Sequence, residues 1–219
     1  MYKLYFAPGA CSFVPHVALE TIKAATGAEF ETHVVKLHKG EQKAADYLAL
    51  NPDGVVPTLV VDGKPLTQII AILEHLDRAH PSLELLPVDP TRRDSAMSLL
   101  AWMNNTVHPT FTHVFMPFKF ADDEAARAEI KRFNLGRYRD YLTRLQARVA
   151  AAQPWLFRDK LSVVDVYALV LFRWAGLGGI DPDGYPVYQA YVARVAAVPA
   201  VAAALAREGT PLKMYKKPA

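Results

Sequence analysis

Between Asn51 and Leu76 the chain reads NPDGVVPTLVVDGKPLTQIIAILEHL, and no other stretch constrains the fold as tightly. Four turn formers in a row, Asn51-Pro52-Asp53-Gly54, are followed by Val55-Val56 and then by Pro57 at the head of the apolar run Thr58-Leu59-Val60-Val61. A proline cannot donate to a sheet ladder, so Pro57 starts a strand or lies at an edge. Asp62-Gly63 is a two-residue hairpin turn into Lys64-Pro65-Leu66-Thr67, and a helix is expected from near Gln68. The first-turn N–H groups and positive dipole end of such a helix favour a carboxylate. A cis Val56–Pro57 bond would turn the preceding backbone outward and offer the Val56 N–H and C=O to an extended peptide, as an added strand.

The N-terminus supplies a second unit of the same kind. Lys3-Leu4-Tyr5-Phe6-Ala7 is a short β-prone run, and Pro8-Gly9-Ala10 is a turn. From Ser12 onward Phe13, Val14, Val17, Ala18, Ile22 and Ala25 recur at helical spacing until Gly27 stops them. Ser12 suits the N-cap, and Pro15 is tolerated in the first turn. Cys11, the only cysteine, therefore falls on a strand-to-helix turn at a helix N-terminus, a position that lowers a thiol pKa and exposes the thiolate. With a second strand around Phe30 to Leu37, the order is βαβ joined to ββα, that of a thioredoxin-like half. Where thioredoxins carry Cys-x-x-Cys, this chain has Cys11-Ser12-Phe13-Val14, which excludes dithiol exchange within one chain.

Three prolines in the stretch from Ala79 through Pro90, namely Pro81, Pro87 and Pro90, interrupt any helix, and beyond them strand patterns vanish. The expected division is an α/β domain over residues 1–79, a linker over 80–90 and an all-helical domain over 91–219. Thr91 can cap a first helix containing Met97, Leu100 and Ala101, and a second helical stretch runs from about Asp122 to Ala152. A third begins at Ser162, where Ser162-x-x-Asp165 forms a capping box before a buried apolar run.

Composition excludes several classes of function. At 219 residues, 52% hydrophobic and 21% charged, the chain has the balance of a globular protein with a substantial core, and no segment of about 18 uncharged apolar residues exists to span a membrane. The N-terminus lacks the basic, apolar and small-residue order of a signal peptide, and a single cysteine fits a reducing cytoplasm. The net charge of +3 is small, its lysines gathering only at Lys213, Lys216 and Lys217, so nucleic-acid binding has little support.

The chain resembles the cytosolic glutathione S-transferases, and within them the bacterial beta class. The matching residues are Lys3 to Ser12 with Pro15-His16, the run Asn51 to Pro57, Ala71-Ile72-Leu73 before Leu76, Trp102-Met103-Asn104 with His108, and Ser162 to Tyr167. The resemblance implies a homodimeric enzyme that uses glutathione as co-substrate, without a metal, on small hydrophobic electrophiles. It implies that Cys11 contacts or covalently pairs with the glutathione sulfur, with Ser12 as an alternative hydroxyl, Tyr5 as a secondary group and His108 as an imidazole serving the thiolate. Val55, Val56, Pro57, Gln68 and Ile69 would hold the tripeptide, and Lys36, His38 or Lys39 would add charge, Lys39 being the residue assigned to binding.

Two positions depart from the family pattern. Pro109 stands where a lysine usually follows the histidine, and Ile69 stands where a serine usually helps to hold the γ-glutamyl group. Loss of one charge-assisted hydrogen bond there costs about 1.5–3 kcal/mol, so weaker glutathione binding is expected. Trp102, Phe111, Phe115, Phe118 and Trp174 are aromatic candidates for core or for a second-substrate wall. Three readings follow: conjugation or thiol exchange through Cys11; one pathway-specific reaction such as dehalogenation, ether cleavage or isomerisation; or a non-catalytic binding or regulatory protein with a weakened glutathione site.

Overall fold

The computed structural model describes residues 1–157 and 159–215; the expected tail lysines Lys216 and Lys217 lie outside them. Along the chain run β1 (Tyr2–Phe6), α1 (Phe13–Thr26), β2 (Phe30–Val34), α2 (Ala45–Leu50), β3 (Thr58–Val61), β4 (Lys64–Thr67) and α3 (Ile69–Ala79). Helices follow: α4 (Pro90–Trp102), a π-helical turn (Met103–Val107), α5 (His108–Phe115), α6 (Glu124–Ala150), α7 (Val163–Leu177), α8 (Pro186–Ala196) and α9 (Pro199–Glu208). The described residues gather into two compact units, Met1–Leu86 with Ala197–Thr210, and Pro87–Ala196 with the residues from Pro211 to Tyr215.

The first unit is a four-stranded mixed sheet in the order β2-β1-β3-β4, with β1 parallel to β2 and antiparallel to β3. Strand alternation puts Leu4 and Phe6 on one face, where both are buried, and Tyr5 on the other. Helices α3 and α9 pack against α1, whose Phe13, Val14, Val17, Ala18 and Ile22 are buried as the helical spacing requires, although Ala25 is exposed. The β3–β4 hairpin closes through Asp62 at φ 47° and Gly63 at φ 83°, the pair of positive angles that a two-residue primed turn needs.

The second unit is all helical. Its core includes Tyr138, Leu142, Tyr167, Leu169 and Tyr188, all fully buried, and the Tyr138 and Tyr188 hydroxyls donate to the α7 carbonyls of Leu171 and Ala168. The capping box at α7 forms: the Ser162 N–H donates to Asp165 Oδ2 at 2.7 Å. No single helix among the described residues is long and apolar enough to cross a membrane.

Several local expectations need correction. Strand β2 ends at Val34 rather than Leu37, and two 3₁₀ turns, Leu37–Lys39 and Glu41–Lys43, occupy the loop that follows. Helix α4 is capped by Asp89, which accepts the Arg92 N–H at 2.9 Å, with Pro90 in its first turn; Thr91 lies inside the helix. Ser12 occupies the N-cap of α1 but makes no capping bond, its hydroxyl being engaged by the Ala7 backbone.

Candidate functional site

The ledge before β3 is built by three side chains. Tyr47, on the short helix α2, donates its hydroxyl to the Val55 carbonyl at 2.7 Å, and Asn51, one turn later, donates Nδ2 to the same carbonyl at 2.7 Å. Both also reach Thr58 Oγ1 at the head of β3, at 3.0 and 3.1 Å. Asn51 Oδ1 accepts the Asp53 N–H at 3.1 Å, which fixes the turn. At Gly54, φ 59°, an added Cβ would meet the Gln42 carbonyl oxygen at 3.0 Å, so both the angle and the crowding select glycine.

These contacts carry Val55, exposed, and Val56, half-buried, along an irregular strand edge that ends at buried Pro57. The Val56–Pro57 bond is cis, and among the described residues nothing accepts the Val56 N–H. Tyr47 and the bracing role of Asn51 were not read from the sequence. The available signal was an aromatic hydroxyl four residues before an asparagine, with a threonine heading the next strand.

Cys11 lies against this ledge, its Sγ 3.6 Å from the Val56 carbonyl oxygen. The side chain is 7% exposed, and burial pushes its thiol up to about 12, outweighing the lowering effect of the Cys11 and Ser12 backbone N–H groups. This reverses the expected lowered pKa and accessible thiolate: desolvation opposes the helix N-terminus and wins. In this form Cys11 is a thiol donor.

Ser12 is fully buried and folds its hydroxyl back on the loop, donating to the Ala7 carbonyl and accepting the Ala7 N–H, both at 3.2 Å. That ring of bonds is why it caps nothing. Tyr5 stands on the opposite sheet face from Leu4 and Phe6, its ring 4.9 Å from His33 and 5.8 Å from Tyr47. Gln68 is exposed at φ 68° immediately before α3, whereas Ile69, its first residue, is 5% exposed and packs inward. Lys36 engages Glu41 through both its N–H (2.8 Å) and its ammonium (3.9 Å), while His38 and Lys39 are exposed on the same loop.

A largely buried polar cluster, with Arg207 at its exposed edge, ties this turn to α9. Glu208 accepts the Gly9 N–H at 2.8 Å and lies 2.9 Å from His16 Nδ1, while Arg207 donates to Glu20 at 2.7 Å. His16 packs with its ring fully buried beside Phe6.

In the second unit, His108 opens α5 after the π-helical turn, and its Nδ1 is 2.9 Å from the Tyr167 hydroxyl. Burial pushes its imidazole down to about 4. Of the aromatic candidates, Phe111 and Trp174 are buried and stacked at 5.1 Å, Trp102 is half-buried beneath Arg144, and Phe115 and Phe118 are exposed. Among the described residues no group of three His, Cys, Asp or Glu side chains could hold a metal ion.

Two family models match the chain, Glutathione S-transferase, N-terminal domain over residues 1–78, and Glutathione S-transferase, C-terminal domain over residues 110–208. The chain is 35% identical to the glutathione S-transferase GST-4.5 of Xanthomonas campestris pv. campestris, over 94% of its own length and 98% of that protein. It is 30% identical to the maleylacetoacetate isomerase of Pseudomonas aeruginosa, over 74% and 77%. Among solved structures it superposes on the bacterial beta class glutathione S-transferase of Sphingomonas chungbukensis with a TM-score of 0.80 at 33% identity, covering 94% of this chain and 98% of that one. A sphingomonad glutathione S-transferase complexed with glutathione gives 0.79 at 34%, covering 95% and 100%. Identity sustained along nearly the whole length, with the same two folds in the same order, makes this chain a member of the glutathione S-transferase family, similar to its bacterial beta class.

Proposed function

We propose that this protein is a glutathione-dependent enzyme that conjugates glutathione to small hydrophobic electrophiles or exchanges thiols through Cys11. The observation that carries the reading is the 3.6 Å approach of Cys11 Sγ to the Val56 carbonyl. A tripeptide laid along Val55–Pro57 as an added strand would bring its own central sulfur beside Cys11. The N-terminus of α3, with Gln68 and the Ile69 N–H, would take the γ-glutamyl carboxylate, and Lys39 would supply charge from the loop after β2.

The raised Cys11 pKa separates the two chemistries. In conjugation, Cys11 stays protonated and donates a hydrogen bond to the glutathione thiolate, which attacks the electrophile. In exchange, a Cys11 thiolate attacks one sulfur of a glutathione-containing disulfide, the S–S bond breaks, and the other sulfur leaves as a thiolate. Burial favours the first, because the proton is held to about pH 12.

Similarity to the Pseudomonas isomerase favours a second reading, a single cis–trans isomerisation using the same bound glutathione. The deciding experiment is calorimetric titration with reduced glutathione, followed by turnover assays of wild type and Cys11→Ala with aryl halide, disulfide and cis-dienoic acid substrates. Binding at millimolar strength or better, with turnover lost in Cys11→Ala, is the expected result. Absence of heat would replace the enzymatic reading with a non-catalytic binding protein. A homodimer belongs to the same proposal and is tested by light scattering.

A further inference from the structure

The helical unit contains a polar chain that ends on His108. Asn104 Nδ2 donates to Asn105 Oδ1 at 2.9 Å, which turns Asn104 Oδ1 toward Tyr167, whose hydroxyl donates to it at 3.1 Å. A tyrosine hydroxyl has one proton, so with that proton directed at Asn104 its oxygen can only accept from His108 Nδ1, 2.9 Å away. We propose that Tyr167 and Asn104 are positioning residues that hold neutral His108 as its Nδ1–H tautomer, so that Nε2 presents a lone pair and acts as proton acceptor.

The surrounding geometry is built for one ring orientation. Tyr167 is fully buried on α7. The Trp174 ring packs 4.6 Å from the imidazole at 63°, while Tyr167 holds the Nδ1 edge. Asn104 and His108 sit at the start of, and just beyond, the π-helical turn Met103–Val107. Such turns widen a helix by one residue and recur at functional positions. Because burial keeps the ring neutral at ordinary pH, its tautomer, not its charge, decides what Nε2 offers.

The consequence for turnover rests on the proposed glutathione-dependent reaction and on His108 serving it; the tautomer itself does not. The test is long-range proton–nitrogen correlation NMR on protein labelled with ¹⁵N-histidine, with His108 assigned by its loss in His108→Gln. The expected wild-type spectrum shows a protonated Nδ1 and an unprotonated Nε2. Tyr167→Phe and Asn104→Ala should move population to the Nε2–H form, and Asn104→Asp, which can only accept, should restore Nδ1–H. Tyr167→Phe should lower kcat about tenfold, the worth of one such hydrogen bond, with the glutathione KM little changed.

A wild-type Nε2–H form, or nitrogen shifts unmoved by both Tyr167→Phe and Asn104→Ala, would overturn the proposal. If the variants move the tautomer but neither Tyr167→Phe nor His108→Gln slows turnover, the tautomer lock holds and the assignment of His108 to the reaction fails.

Discussion

The Glu208 carboxylate accepts the backbone N–H of Gly9 at 2.8 Å, joining the last turn of α9 to the turn that precedes Cys11. Its other oxygen lies 2.9 Å from His16 Nδ1, one turn into α1, and both side chains are buried. Glu208→Ala would remove the acceptor of the Gly9 N–H and the partner of a buried imidazole, a change of about 1–3 kcal/mol for each hydrogen bond lost. The expected outcome is a urea midpoint lowered accordingly, with Glu208→Gln, which still accepts from Gly9, losing less than half as much. Cys11 alkylation at neutral pH should also quicken in Glu208→Ala, because the turn that buries the thiol loses its anchor. An unchanged midpoint would mean that the cluster contributes nothing net.

Asn51 makes the corresponding prediction for the ledge. It is 1% exposed and three of its hydrogen bonds shape Val55, Thr58 and Asp53. Asn51→Ala should weaken glutathione binding about tenfold while leaving the chain folded, with stability reduced by about 1–3 kcal/mol for the buried groups left unpaired. Calorimetric titration beside a thermal melt separates the two effects.

Most of the fold was legible because local chemistry and tertiary need agree. The Asp62-Gly63 hairpin, the Ser162-Asp165 capping box and the helical spacing from Phe13 to Ile22 each appear where the residues put them. What stayed hidden depends on groups far apart in sequence. Ser12 reads as an N-cap, but an inward-turned loop gives its hydroxyl to Ala7. Cys11 reads as activated by a helix end, but the desolvation that reverses the shift comes from its surroundings, not from its neighbours in the chain. Ile69 reads as a missing hydroxyl at the ledge; in the structure its side chain joins the core, so hydrophobic burial is what the substitution supplies. The contact of Glu208 with Gly9 spans 199 residues and has no local signature.

The Cys11 thiol gives an alkaline prediction. Its folded pKa, about 12, lies above the ordinary value of 9.0, so the folded state binds this proton more tightly than the unfolded chain does. The resulting stability is fully present below about pH 9 and is lost as the pH rises toward 12, by up to about 4 kcal/mol at 1.36 kcal/mol per unit. Stability measured against pH should fall more steeply in wild type than in Cys11→Ser over that window. Alkylation should be slow at neutral pH and accelerate throughout the same range.

Asp165 is fully buried and accepts the N–H groups of Ser162 at 2.7 Å and Leu156 at 2.9 Å, the Ser162 hydroxyl at 2.6 Å, and the Tyr191 hydroxyl. Asp165→Ala leaves several buried donors unpaired at roughly 1–3 kcal/mol each, so a loss of about 4 kcal/mol or failure to fold is expected. An unchanged melting midpoint with lost turnover would instead make Asp165 a functional group.

His108 gives the acid counterpart. Burial lowers its folded pKa from 6.5 to about 4, so between those values the unfolded chain takes up a proton that the folded chain refuses. Its contribution to stability is present above about pH 6.5 and is lost as the pH falls toward 4, by up to about 3 kcal/mol. His108→Gln removes the titrating group while keeping a hydrogen-bonding side chain beside Tyr167. The variant should therefore show a flatter stability profile than wild type between pH 6.5 and 4, and the two profiles should run parallel above pH 7. Turnover that depends on a neutral imidazole should likewise hold steady down to about pH 5 and fall below it. A kinetic pKa near 6.5 that disappears in His108→Gln would show that the ring is hydrated in solution, and that Trp174 and Tyr167 do not seal it.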